Sequence, residues 1–132
     1  MTEKLELTEA EWQDRLTSEQ YEILRRKGTE RAFTGAYNDE HSPGVYRCGG
    51  CGTELFRSED KFDSGTGWPS FVEPADLDSV VTETDVTYGM VRTEVMCATC
   101  GGHLGHVFDD GPGPSGKRYC INSGALDLEP SS

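Results

Sequence analysis

Cysteine chemistry depends on spacing, and the five cysteines of this chain sort into two close pairs and one remainder. Cys48-x-x-Cys51 and Cys97-x-x-Cys100 lie 45 residues apart, a pattern that offers four thiolates to a single tetrahedral zinc ion. A lone Cys-x-x-Cys can instead be a redox motif, and Cys97, Cys100, His103 and His106 could form a local Cys₂His₂ set, but that set strands the first pair. The expectation is one structural zinc per chain held by Cys48, Cys51, Cys97 and Cys100. Cys120 is then the one free thiol. If Arg118-Tyr119-Cys120-Ile121-Asn122 is extended, Arg118, Cys120 and Asn122 share one face, and a guanidinium beside a thiol favours the thiolate, the nucleophilic form. The four-thiolate reading also frees His103 and His106. They either pack beside the second knuckle as structural residues or supply the proton transfers that cysteine chemistry needs near neutral pH. His41, in a polar stretch, reads as an ordinary surface histidine.

The elements that must position these residues are mostly strands. Thr8-Glu9-Ala10-Glu11 and Thr17-Ser18-Glu19-Gln20 are capping boxes, so two short N-terminal helices are expected, the second ending at a basic turn with Gly28 as its stop. Thr29 to Pro43 is polar and punctuated by Gly35 and Ser42-Pro43, an irregular connection to which no chemistry is assigned. Strands are predicted at Val45–Arg47, Thr53–Phe56, Phe71–Val72, Val80–Thr82, Val86–Tyr88, Met90–Met96, Val107–Phe108 and within Tyr119–Leu128, with Gly49, Gly50 and Gly52 shaping the first knuckle. At 132 residues the chain fits a short tail, 1–7, and a single domain, 8–132.

The net charge of −12, from 24 acidic and 12 basic residues, argues against nucleic acid as a partner. The acid excess is either a solvated face or an adaptation to a salt-rich cytoplasm, and the second is preferred. No signal-peptide-like or membrane-spanning apolar run occurs, so a cytoplasmic protein that does not enter the membrane is expected, with thiols kept reduced.

Several motifs then converge: Cys48-Gly-Gly-Cys51, Gly65-Thr-Gly-Trp68-Pro-Ser-Phe71, Cys97-Ala-Thr-Cys100-Gly-Gly-His103-Leu-Gly-His106-Val-Phe108-Asp-Asp110-Gly-Pro112 and Arg118-Tyr-Cys120-Ile-Asn122-Ser123. In this order they resemble the type B methionine-R-sulfoxide reductases, from about Thr8 to the C-terminus. The resemblance implies a mainly β fold of two antiparallel sheets, a β-tent, with short N-terminal helices and a zinc site remote from the catalytic cysteine. It implies that Cys120 attacks the sulfoxide sulfur and becomes a sulfenic acid, that His103, His106 and Asn122 bond the departing oxygen, and that Asp110 and Arg118 fix those groups. It also implies that Trp68, helped by Phe108, packs on the substrate methyl, although Trp68 alone would read as a core aromatic. Methionine R-sulfoxide, free or in proteins, and thioredoxin or another thiol reductant are the implied partners. Many members carry a resolving cysteine where this chain has Thr66, so reduction of Cys120 from outside is expected here. The rival reading is a non-enzymatic zinc-containing β-tent binding module with Cys120 as a buried apolar residue. A fast thiol protected by methionine sulfoxide would separate the enzyme from that module.

Overall fold

The computed structural model describes residues 7–86 and 89–130. Two helices open it, α1 (Glu9–Arg15) and α2 (Ser18–Arg26), each started by a complete capping box. The Thr8 and Thr17 hydroxyls accept from the amides of Glu11 (3.2 Å) and Gln20 (3.1 Å), whose side chains reach back to the Thr amides. The end of α2 differs from expectation. Lys27, not Gly28, takes the left-handed conformation (φ 57°), and the Gly28 amide closes the turn on the Glu22 carbonyl at 2.7 Å. This cap sends the Lys27 ammonium toward the sheet, where it lies 3.3 Å from Glu94.

Nine strands follow among the described residues: β1 (Gly44–Cys48), β2 (Glu54–Arg57), β3 (Lys61–Phe62), β4 (Ser70–Phe71), β5 (Val80–Asp85), β6 (Arg92–Cys97), β7 (His103–Phe108), β8 (Arg118–Ile121) and β9 (Leu126–Pro130). They form two antiparallel sheets, ordered β2-β1-β9 and β3-β4-β8-β7-β6-β5, as the β-tent reading expects. The sequence pattern missed the two-residue β3. It also ran β8 and β9 together, whereas a 3₁₀ turn at Ser123–Ala125 moves the chain from the large sheet to the small one. Val86 lies beyond the end of β5, and Thr87 and Tyr88, assigned to a strand from sequence, lie outside the described residues. Residues 29–43 contain no helix or strand, as expected.

Aromatic side chains join the two sheets. Phe71 of the large sheet stacks on Phe56 (centroids 4.5 Å apart) and meets Tyr46 edge-on (5.2 Å), all three fully buried. Burying each such ring contributes about 2–3 kcal/mol. Trp12, Leu16, Ile23 and Leu24 complete the core from the helix side, and α2 packs on β7 and on the 3₁₀ turn after β8. Among the described residues no helix is long and apolar enough to cross a membrane.

Candidate active site and metal centre

The two knuckles are copies of one turn. The Gly52 amide donates to Cys48 O and the Gly101 amide to Cys97 O, both at 2.8 Å, and each turn needs a glycine at positive φ (82° and 74°). They bring the sulfurs of Cys48, Cys51, Cys97 and Cys100 within 4.8 Å of one another, with Cys48–Cys100 at 3.7 Å and Cys51–Cys97 at 3.6 Å. These spacings exclude disulfides. A tetrahedral ion with sulfur ligands at about 2.3 Å requires sulfurs about 3.8 Å apart, so the four thiols fit a metal. His103 and His106 are committed elsewhere, which removes the Cys₂His₂ alternative.

The second constellation grows out of strand register. Cys120 in β8 pairs with His106 in β7, which pairs with Glu94 in β6; two residues along, Arg118 pairs with Phe108. Partners directly opposite share a face, so the alternation expected for Arg118 and Cys120 extends across three strands. His103 ought to point the other way, being three residues from His106. The register between β6 and β7 slips after Val95–Gly105, so that Met96 pairs with His103, and this bulge returns His103 to the side of His106, ring centroids 5.5 Å apart.

Carboxylates hold both rings. His103 Nδ1 lies 2.8 Å from Glu94 Oε2, and His106 Nε2 lies 2.9 Å from Asp85 Oδ2; a carboxylate only accepts, so each of these nitrogens carries the hydrogen. Glu94 is 3% exposed and is also met by Lys27, while Arg92 sits 3.4 Å from Asp85. Burial lowers the pKa of His103 from its ordinary value, and its contact with Glu94 only partly offsets this.

A cleft of about 100 Å³ is lined by Cys120, His106, Asn122, Trp68, Phe108, Gly105, Thr29 and Arg92. Of the residues singled out from sequence, His103 is buried and does not line the cleft. Asp110 bonds Arg118 (2.8 Å) and neither histidine. Arg118 lies over the Phe108 ring at 4.5 Å, and both it and Thr66 lie near enough to Cys120 to favour its thiolate. His41 is exposed, 3.8 Å from Asp63. Sequence reasoning missed Asp85, Glu94, Arg92 and Thr29. The one available hint was the Arg92-x-Glu94 alternation inside an apolar strand.

The thiol itself corrects an expectation. Arg118 and Thr66 do pull the Cys120 pKa down, but desolvation outweighs them and the net shift is upward. At rest, burial therefore works against the thiolate that Arg118 favours. Alkylation of Cys120 by iodoacetamide at pH 7 is expected to be slower than that of free cysteine and to begin its rise at a higher pH than free cysteine does. Arg118→Met should slow it further at neutral pH. A Cys120 that alkylates faster than free cysteine at pH 7 contradicts this balance.

The profile of the family described as SelR domain matches residues 16–130. The chain belongs to the SelR family. It is 58% identical over 128 residues to the peptide methionine sulfoxide reductase MsrB of Bradyrhizobium diazoefficiens, covering 97% of this chain and 92% of that protein. It is 59% identical over 123 residues to the MsrB of Thiobacillus denitrificans, covering 93% of each. The chloroplastic peptide methionine sulfoxide reductase B1 of rice is 59% identical over 124 residues, 93% of this chain and 58% of that protein. The likeness to type B methionine sulfoxide reductases read from the motifs thus extends over nearly the whole SelR-family chain.

Proposed function

We propose that this SelR-family protein reduces the R epimer of methionine sulfoxide to methionine through a sulfenic acid on Cys120, as a thiol-dependent repair enzyme. The observation that carries the reading is that the one cysteine outside the metal cluster shares a small cleft with an indole ring, a histidine and an amide. A sulfoxide presents the same three demands: an electrophilic sulfur, an oxygen that must gain protons to leave, and an apolar methyl. The family membership and the named relatives support the reaction class.

Cys120 Sγ forms the bond to the substrate sulfur as the sulfur–oxygen bond breaks. His106, its Nε2 committed to Asp85, delivers a proton through Nδ1, and Asp85 stabilises the imidazolium that precedes transfer. Asn122 donates to the same oxygen. The oxygen leaves as water, carrying the thiol proton and the proton from His106. That water then attacks Cys120 Sγ, breaking the sulfur–sulfur bond, releasing the methionine thioether and returning a proton to His106, which leaves Cys120–SOH. His103, held by Glu94, acts behind His106 rather than on substrate. A thiol from outside then attacks Cys120, water leaves, and a second thiol resolves the mixed disulfide to restore the cysteine. Thr66 cannot form a disulfide, so thioredoxin or a small thiol supplies both electrons.

The four-cysteine cluster holds one zinc ion, whose contribution is to tie the sheets together. The acidic surface is read as adaptation to a salt-rich cytoplasm.

The test is to offer each epimer separately with excess dithiothreitol. Consumption of the R form and persistence of the S form is expected, because Trp68 and His106 line one cleft and only one epimer can present methyl and oxygen to both. Equal consumption of the epimers contradicts the proposed pocket, and consumption of neither favours the binding-module reading.

A further inference from the structure

The irregular stretch between α2 and β1, without assigned chemistry on sequence grounds, is hydrogen-bonded to two of the residues that line the cleft. The Glu30 carbonyl accepts from the Trp68 indole Nε1–H at 3.0 Å, and the Glu30 amide donates to Asn122 Oδ1 at 3.1 Å. Its carboxylate Oε1 accepts from the Gly124 amide at 2.9 Å. Two further stitches flank it. The Phe33 amide donates to Gly67 O at 2.7 Å, and the Tyr37 amide donates to Ser123 Oγ at 3.1 Å. The strap presses close at both stitches: a Cβ on Gly67 would lie 2.6 Å from the Ala32 Cβ, and one on Gly35 would lie 2.3 Å from Ser123 Oγ.

These bonds decide what the cleft offers a ligand. Asn122 spends its carbonyl oxygen on Glu30 and one amide hydrogen on Leu104 O at 3.0 Å, so the group it has left is the second N–H, a donor. Trp68 spends its only polar hydrogen on Glu30 O, so what remains is an apolar ring. One residue, through its two backbone groups, thus makes one wall a donor and the other apolar and fixes their separation. The strap has no ladder of its own, and the one bond made by the Glu30 side chain among the described residues is the carboxylate clip to Gly124, which adds to the backbone stitches at Phe33 and Tyr37.

We infer that Glu30 is a positioning residue that sets the Trp68 and Asn122 walls in register, and that the length of its side chain, acting through the clip to Gly124, governs discrimination between sulfoxide epimers. The inference rests on the sulfoxide reading for its substrate but not for its geometry. Glu30 does not line the cleft and touches no reacting atom. Its charge is a separate matter: it opposes ionisation of Cys120, so neutralising it does not impair the nucleophile.

The experiment compares Glu30→Gln, which keeps length and an acceptor for Gly124, with Glu30→Asp, which keeps charge but is one methylene short, and with Glu30→Ala. Each is made with and without Trp12→Phe, which leaves Trp68 as the sole indole. Glu30→Asp and Glu30→Ala should lose about 10–100-fold in kcat/KM for the R epimer and about tenfold or more of the R-over-S preference, with Trp68 more readily quenched by acrylamide. Glu30→Gln should stay within about threefold of wild type in all three readouts. The inference fails if Glu30→Asp keeps wild-type preference and quenching, even at a lowered melting temperature, because Glu30 is then only structural. It fails equally if Glu30→Gln is as impaired as Glu30→Ala, because charge then matters and length does not. Should Glu30→Ala not fold, the Asp and Gln pair still decides. Should wild type reduce neither epimer, Trp68 quenching decides the strap's role independently of the reaction.

Discussion

Cys120→Ser is expected to lose at least about a thousandfold in kcat with methionine R-sulfoxide while its stability changes by about 1 kcal/mol or less. The serine hydroxyl stays in the polar surroundings of Thr66 and Arg118, and little volume changes in the partly buried site. What is lost is the nucleophile. No other described residue of the cleft can replace it, since the remaining four cysteines are committed to the cluster. The same pair of proteins reports the intermediate. After one equivalent of sulfoxide without reductant, wild type should gain about 16 Da on Cys120 and form a dimedone adduct there, and Cys120→Ser should do neither. A loss of about 2 Da in the wild type would mean that Cys120 had paired with a cluster cysteine, overturning both the recycling route and the metal site. Turnover by Cys120→Ser within tenfold of wild type would place the nucleophile elsewhere.

Cys48→Ser should lose the metal and, with it, the native fold. The cluster takes Cys48 and Cys51 from the turn joining β1 to β2 and Cys97 and Cys100 from the turn joining β6 to β7, so one ion held there would bridge the small sheet to the large one. Structural zinc binding amounts to about 10–16 kcal/mol in small domains, comparable with or larger than the about 5–15 kcal/mol that separates a folded domain from its unfolded chain. A three-thiolate site cannot retain that contribution. The expected result is less than a tenth of an equivalent of zinc after dialysis and no cooperative melt by circular dichroism. Wild type should approach the same state on prolonged EDTA treatment. A Cys48→Ser protein with one zinc per chain and a native melting transition would show that the four sulfurs do not act together. The cluster and the cleft sit at opposite ends of β6, which runs from Arg92 at the cleft to Cys97 at the cluster, roughly 17 Å of strand. Metal loss therefore reaches catalysis through the fold.

Features governed by short-range rules were legible in the chain. The capping boxes at Thr8 and Thr17 start both helices, because four consecutive residues contain every atom involved. The paired cysteines form one cluster because a Cys-x-x-Cys turn fixes its two sulfurs locally and leaves only their meeting to the fold. Alternation along β8 placed Cys120 on the face of Arg118, since a strand's pleat depends on nothing beyond the strand. The site's remaining chemistry was settled by contacts between distant residues. His103 joins His106 only because β7 bulges against β6, and the carboxylates that orient the two rings arrive from positions 94 and 85. Desolvation of Cys120 depends on everything packed around it, which is why a neighbouring guanidinium, visible in sequence, does not decide its ionisation. The strap at Glu30 was invisible for the same reason. Its amide and carbonyl carry no sequence signature, and their partners Asn122 and Trp68 are 92 and 38 residues away. Sequence alone determined which groups could act. Only tertiary structure decided which of their atoms remain available, because each hydrogen bond made to a distant partner is one that the ligand cannot have.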